Sequence, residues 1–176
     1  MTEPATSAAA SVATQGATSD VLTRDQIAVE HTWDLTTIYP TEEVWETEFG
    51  QLPEYLDRAV AFRGKLGESA RVAREGLESI FAVQELLTRL VVYASLRRDE
   101  DTTNTEANGR YERAVMASIQ AGEALAFLQP EILALPEETL RGLIDAPELE
   151  SYRHVLEDLE RRRAHVRSAE VEEVLA

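Results

Sequence analysis

The apolar positions of this chain recur at helical spacing along most of its length. Trp45, Phe49, Leu52, Leu56, Ala59 and Val60 mark a first helix. Thr41 stands where an N-cap is expected, with Glu42 and Glu43 beside the positive helix end. Pro53 lies inside this pattern. It lacks an N–H and crowds the preceding turn, so a kink or a split near Gly50 is expected. The stretch "RGKLGES" ends the element.

A second helix is predicted from about Ala70 to Arg98, with Ala73, Leu77, Ile80, Phe81, Leu87, Leu90, Val91 and Ala94 as its stripe. Gly76 weakens its first part. A third is predicted from about Asn104 to Leu128, where Gln129-Pro130 stops it. Its small residues at 114, 118, 121 and 122 allow a neighbouring helix to approach closely. Pro136 and Pro147 each precede a glutamate, the chemistry of a helix first turn, and so announce two more elements. The later one carries Leu149, Tyr152, Val155, Leu156, Leu159 and Val166 on one side, and Ser168 looks like the N-cap of a further helix. No segment alternates as a strand. The expected fold class is therefore all-α, a mostly antiparallel helical bundle.

The two ends of this pattern differ. Residues 1–27 are expected to be a disordered tail, because the Ala/Ser/Thr-rich text from Met1 to Asp20 has no periodicity and too little buryable surface to offset its ordering entropy. Neither a secretory signal nor an Arg-rich mitochondrial leader is recognisable in it. From His31 the text becomes "HTWDLTTIYPT", read as an irregular strap in which Trp33, Leu35, Ile38 and Tyr39 are buryable.

Charge narrows the partners. The 176-residue chain has a formal net charge of −16, and Lys65 is its only lysine. Such a chain repels phosphate backbones and anionic lipid, so neither nucleic acid nor a membrane is an expected partner. No apolar run approaches the ~20 residues of a bilayer span. Cysteine is absent, which excludes disulfides, thiolate metal sites and cysteine nucleophiles and agrees with a reducing compartment. The expected location is cytoplasmic.

The stretch "LRRDEDTTNTEANGRYERA", Leu96 to Ala114, gathers carboxylates between two helices. As a calcium loop starting at Asp99 it fails twice: the sixth position is Asn104 instead of glycine, and the twelfth is Arg110 instead of a bidentate glutamate. A capped corner explains more of the letters. Thr103 and Glu106 have the spacing of a capping box, and Asp99 and Asp101 fall in the turn before it. Of the histidines, His31 has no acid at helical spacing. His154 with Glu157 and Asp158 stops one residue short of an inverted zinc motif, and three arginines, Arg161 to Arg163, follow it. His165 is eleven residues further on, about three turns from His154, too far to share one ion with it. There is no H-E-x-x-H, G-x-S-x-G elbow, phosphate-binding glycine loop or dinucleotide fingerprint. No residue is assigned as catalytic, cofactor-binding or metal-ligating.

Four phrases nevertheless resemble, in order, the N-terminal region of oligoendopeptidase F, a zinc metallopeptidase of the thimet oligopeptidase group. They are "WDLTTIYPTEEVWETEF", "LTRLVVYASLRRDEDTTN", "LQPEILALPEETL" and "LESYRHVLEDLERRRAHVRSAEVEEVLA", so the similarity runs from Trp33 to Ala176. Val166-Arg167 departs from the family junction, usually His-Thr-Leu-Ser. The resemblance implies that residues 28–167 are a helical N-terminal domain forming part of the wall of a channel for short peptides. Residues 168–176 then begin the helix leading to a C-terminal catalytic domain, the implied partner. Zinc in that family is held by H-E-x-x-H and a downstream glutamate in the catalytic domain, so the cofactor is implied for the longer enzyme and for no residue here. This chain is expected to be inactive in isolation. The alternative reading is a freestanding, non-catalytic helical interaction module.

Overall fold

The computed structural model describes Leu22 and residues 26–163. The predicted tail and the helix predicted after Ser168 therefore lie outside the described residues, apart from Leu22, Gln26 and Ile27. The chain divides into a unit up to Thr32 and a main unit from Trp33 onward. The first contains a 3-10 turn over Val29–His31, closed by the Thr32 hydroxyl donating to the Val29 carbonyl.

The main unit is helical: α1 (Glu42–Val60), α2 (Ala70–Glu100), α3 (Thr105–Leu125), α4 (Leu128–Ala134), α5 (Glu137–Ile144) and α6 (Arg153–Arg163), with 3-10 turns at Leu35–Thr37 and Pro147–Tyr152. No strand occurs among the described residues. The long helices run antiparallel, since partners pair in opposite chain order. Glu42 meets Arg97 and Glu48 meets Arg89 across α1 and α2. Arg98 stacks on Tyr111 at the start of α3, whereas Gln84 faces Leu125 at its end.

Caps fix the starts. Thr41 Oγ1 accepts from the Val44 N–H and Ser69 Oγ from the Val72 N–H. Three expectations need correction. Helix α1 does not split at Gly50 but continues through Pro53, because Trp45, Leu52 and Ala59 on either side of the proline are all buried in one core. Pro130 does not stop α3, which ends at Leu125; it sits in the first turn of α4, where its missing N–H costs nothing. Trp33 is 62% exposed, although Leu35 and Tyr39 of the same strap are buried.

Helix α2 is shared by two cores. Its second half packs with α1, α3 and the strap around Trp45, Tyr39, Tyr93, Ile80 and Leu90. Its first half packs with α4, α5 and α6 around Leu66, Leu77, Ile132, Leu140, Leu149 and Leus 156 and 159. Gly76, expected to weaken α2, enables this second contact. A Cβ there would lie 2.5 Å from Leu66 Cδ2 and 3.2 Å from Phe62 Cβ, so the bare backbone lets the α1–α2 connection sit against the helix. Gly64, at φ 79°, supplies the left-handed residue of that connection. By length and composition alone α2 is apolar enough to cross a bilayer, although Glu85 and Arg89 interrupt its apolar text. Here its apolar faces are taken up by the two cores.

Candidate functional site

The densest gathering of charged groups is where the start of α1, the end of α2 and the start of α3 converge. Glu42 receives a bidentate pair from Arg110, Nη1 to Oε1 at 3.1 Å and Nη2 to Oε2 at 2.7 Å. Arg97 Nη2 reaches the same carboxylate at 3.3 Å, while its Nη1 donates to Glu100 Oε2 at 2.6 Å. One turn along α1, Glu46 accepts from Arg113 Nη2 at 2.7 Å. Arg113 also lies over the rings of Trp45 and Phe49, which stack on each other 4.9 Å apart. Arg110 is 8% exposed, with Trp45 beneath it.

Each carboxylate of the α2–α3 corner has a partner within this arrangement. Asp99 Oδ1 accepts from Arg98 Nε and Nη2 at 3.0 and 2.7 Å, and the Arg98 guanidinium covers the Tyr111 ring. Asp101 Oδ1 accepts from the Thr103 hydroxyl at 2.6 Å and the Thr103 N–H at 2.9 Å. These bonds, the hydroxyl first, hold the Asp101 carboxyl below the usual carboxylate range. It is thus a weak base, ionised and engaged at neutral pH.

The capping box is overturned here. Asn104 is the N-cap of α3, its Oδ1 accepting from the N–H groups of Glu106 and Ala107 at 3.0 Å each. The Thr103 hydroxyl is unavailable for that role because Asp101 holds it. Asp99 also moves: it belongs to the last turn of α2, not to the connection after it.

A second polar knot ties the strap to α1 and α2. Tyr39 donates to Glu48 Oε2 at 2.8 Å and Arg89 Nη2 donates to the same oxygen at 3.0 Å. Burial, reinforced by the Glu48 carboxylate, pushes the Tyr39 phenol far above its ordinary value. It therefore stays a donor throughout the physiological range.

The histidines are not brought together. His31 is 3.7 Å from Glu30, both exposed. His154 is exposed on α6, and the nearby Asp158 is taken by Arg161 and Arg162, whose hydrogen bonds and charge lower its carboxyl. His165 lies outside the described residues. Among the described residues no group of three or more histidines or carboxylates is placed to hold a metal. Zinc does not fit this donor set: the candidate carboxylates already face guanidinium groups, which disfavour a dication.

Sequence reasoning missed Arg110 and its Glu42 partner. The available signal was paired charge at helical spacing, Glu42 with Glu46 on α1 and Arg110 with Arg113 on α3. The arrangement joins three helix ends through paired charges.

A family described as Oligopeptidase F matches residues 131–176. Oligopeptidase PepF of Bacillus subtilis is 37% identical over 154 residues, covering 87% of this chain and 23% of that protein. Group B oligopeptidase PepB of Streptococcus agalactiae is 34% identical over 154 residues, covering 87% of this chain and 26% of that protein. The crystal structure of oligoendopeptidase-F from Enterococcus faecium superposes with a TM-score of 0.65 at 31% identity, over 77% of this chain and 27% of that one. The chain thus spans about a quarter of the length of the curated relatives it matches. It belongs with the oligoendopeptidase F proteins, and what it matches in them is their N-terminal region.

Proposed function

We propose that this chain is the non-catalytic N-terminal helical domain of an oligoendopeptidase F-type zinc metallopeptidase acting on short peptides. In this reading it forms part of the channel wall, and zinc and the catalytic residues belong to a C-terminal domain of the same enzyme. The observation that carries the reading is the match to about a quarter of each peptidase-named relative. The absence of H-E-x-x-H from the sequence supports the division of labour. So does the pairing of the corner carboxylates with arginines and Thr103, which leaves none of them to activate water. A cytoplasmic location is part of the proposal, and the cysteine-free composition is compatible with it.

The test is hydrolysis of a mixed pool of short peptides by the 176-residue chain in zinc-containing buffer, with and without a chelator. No cleavage is expected under either condition. Chelator-sensitive cleavage by the purified chain would overturn the assignment of catalysis to another domain.

A further inference from the structure

We propose that the α2–α3 face turned away from α1 is where this domain packs against the remaining part of its own longer polypeptide, through an uncharged, apolar surface of that part. The inference rests on the reading of the chain as the N-terminal domain of a longer enzyme, and it names the surface that joins the two. The first observation is electrostatic. In a chain of net charge −16, α3 carries no charged residue from Ala114 to Gly122. Over Leu86 to Leu96 the only charge on α2 is Arg89, which is engaged by Glu48 of α1. Because α2 and α3 are antiparallel neighbours, the two uncharged stretches lie side by side.

The second observation is shape. A groove of about 440 Å³ runs between the two helices, lined by Thr88 on one side and Ser118 and Gly122 on the other. A Cβ added at Gly122 would meet nothing within 4 Å, so the groove is open there. Val92 stands one turn beyond Thr88 on α2, and Ile119 stands one turn before Gly122 on α3, so each borders the groove. Val92 is 42% exposed and Ile119 is 52% exposed. Two aliphatic side chains thus flank an uncharged groove, in a chain with 33 acidic residues.

Chain length and mass action select the occupant. This chain accounts for about a quarter of its relatives' length, in sequence and in the Enterococcus faecium structure, so about three quarters of such a polypeptide is tethered to this fold. A tether supplies an effective concentration on the order of millimolar, so a patch too weak to hold a free partner is still filled from within the same polypeptide. A second copy has no such advantage and brings its own net charge of −16 against that of the first. A charged surface finds no counter-charge on this face, so the tethered surface that fits it is apolar. Such a contact does not depend on unscreened charge and survives added salt.

Thiol accessibility tests this, because the sequence has no cysteine of its own. Ile119→Cys and Gly122→Cys on the face, and Glu54→Cys on the exposed side of α1, are each made in the 176-residue chain and in the longer enzyme. Alkylation by iodoacetamide is followed by mass at the peptide that carries the substitution. The two face thiols should react about tenfold or more slowly in the longer enzyme than in the 176-residue chain. The Glu54→Cys thiol should react alike in both. The slowing should persist at about 1 M sodium chloride, where the Debye length is about 3 Å. As a second measurement, Ile119→Glu should lower the thermal midpoint of the longer enzyme and leave that of the 176-residue chain unchanged. Face thiols equally reactive in both proteins, slowing abolished by salt, or slowing already present in the 176-residue chain and lost on dilution, as a dimer would give, would each overturn the proposal. Chelator-sensitive peptide hydrolysis by the longer enzyme is scored separately. Hydrolysis with freely reactive face thiols overturns this surface and leaves the peptidase reading standing, whereas protected thiols without hydrolysis support the surface and overturn that reading.

Discussion

The two cores that share α2 are built from different materials. Around the second half of α2 the buried set includes three aromatics, Tyr39, Trp45 and Tyr93. Two of these place their polar atom on a partner, Trp45 Nε1 on the Leu90 carbonyl at 3.0 Å and the Tyr39 hydroxyl on Glu48. Around the first half of α2 the buried set is wholly aliphatic, all Leu, Ile and Ala. The first core is edged by side-chain ion pairs between helices, Glu42–Arg110 and Glu46–Arg113. The second is tied by charged side chains to backbone groups. Glu131 accepts from the N–H groups of Gly64 and Leu66, Arg153 donates to the Ile144 carbonyl, and Arg163 to those of Leu133 and Leu135. A directional core needs each polar atom matched, so it specifies how three long helices register. An aliphatic core needs only volume and patterning, and its short helices are located by anchors at their ends.

The largest way to break this contrast is at the centre of each core. Trp45→Ala should lower the unfolding free energy by about 3–5 kcal/mol and Leu156→Ala by about 2–5 kcal/mol. Denaturant midpoints measure both. A Trp45 variant that loses less than the Leu156 variant would argue against the directional character of the first core.

Next comes the ion-pair edge. Glu42→Ala removes both guanidinium bonds from the mostly buried Arg110. A loss of about 1–3 kcal/mol is expected, tempered by the partial exposure of Glu42. Glu137→Ala, which breaks only the exposed pair with Arg141, should fall within about 0.5 kcal/mol. Equal losses from the two variants would remove the distinction between the buried edge and an ordinary surface pair.

At the corner, Asn104→Ala should cost about 1 kcal/mol through loss of the α3 cap, with Thr103→Ala costing less. The reverse order in thermal midpoints would restore the Thr103 cap.

The smallest effect is electrostatic. Asp101 has a depressed folded-state pKa, so its contribution is complete above the ordinary Asp value of about 3.9 and is lost as pH falls through the folded value. The stability difference between the native chain and Asp101→Asn should therefore be present at neutral pH and close below about pH 4. A difference that persists unchanged into acid would contradict the Asp101–Thr103 linkage.

What the letters reveal follows from the range of each interaction. Helical class, the starts of α1 and α2 and the apolar stripe of α2 are legible, because periodicity and capping act within a turn or two. The Asn104 cap is not, because Thr103 and Asn104 are adjacent competitors and Asp101 decides between them by taking the hydroxyl. Pro130 is ambiguous by nature: the same ring that ends one helix suits the first turn of another. Arg110 reads as a polar residue of α3, since its partner Glu42 is 68 residues away. At the candidate site the corner's lack of calcium geometry is visible from Asn104 and Arg110, but the convergence of α1 with it is a tertiary fact.

We propose that this domain is a scaffold and that its enzyme's metal chemistry lies elsewhere. Native mass spectrometry of the purified chain after incubation with zinc and desalting tests it most directly. The metal-free polypeptide mass is expected both for the native chain and, shifted only by the mass of the substitution, for His154→Ala. One zinc retained per chain, and lost in a histidine variant, would contradict it.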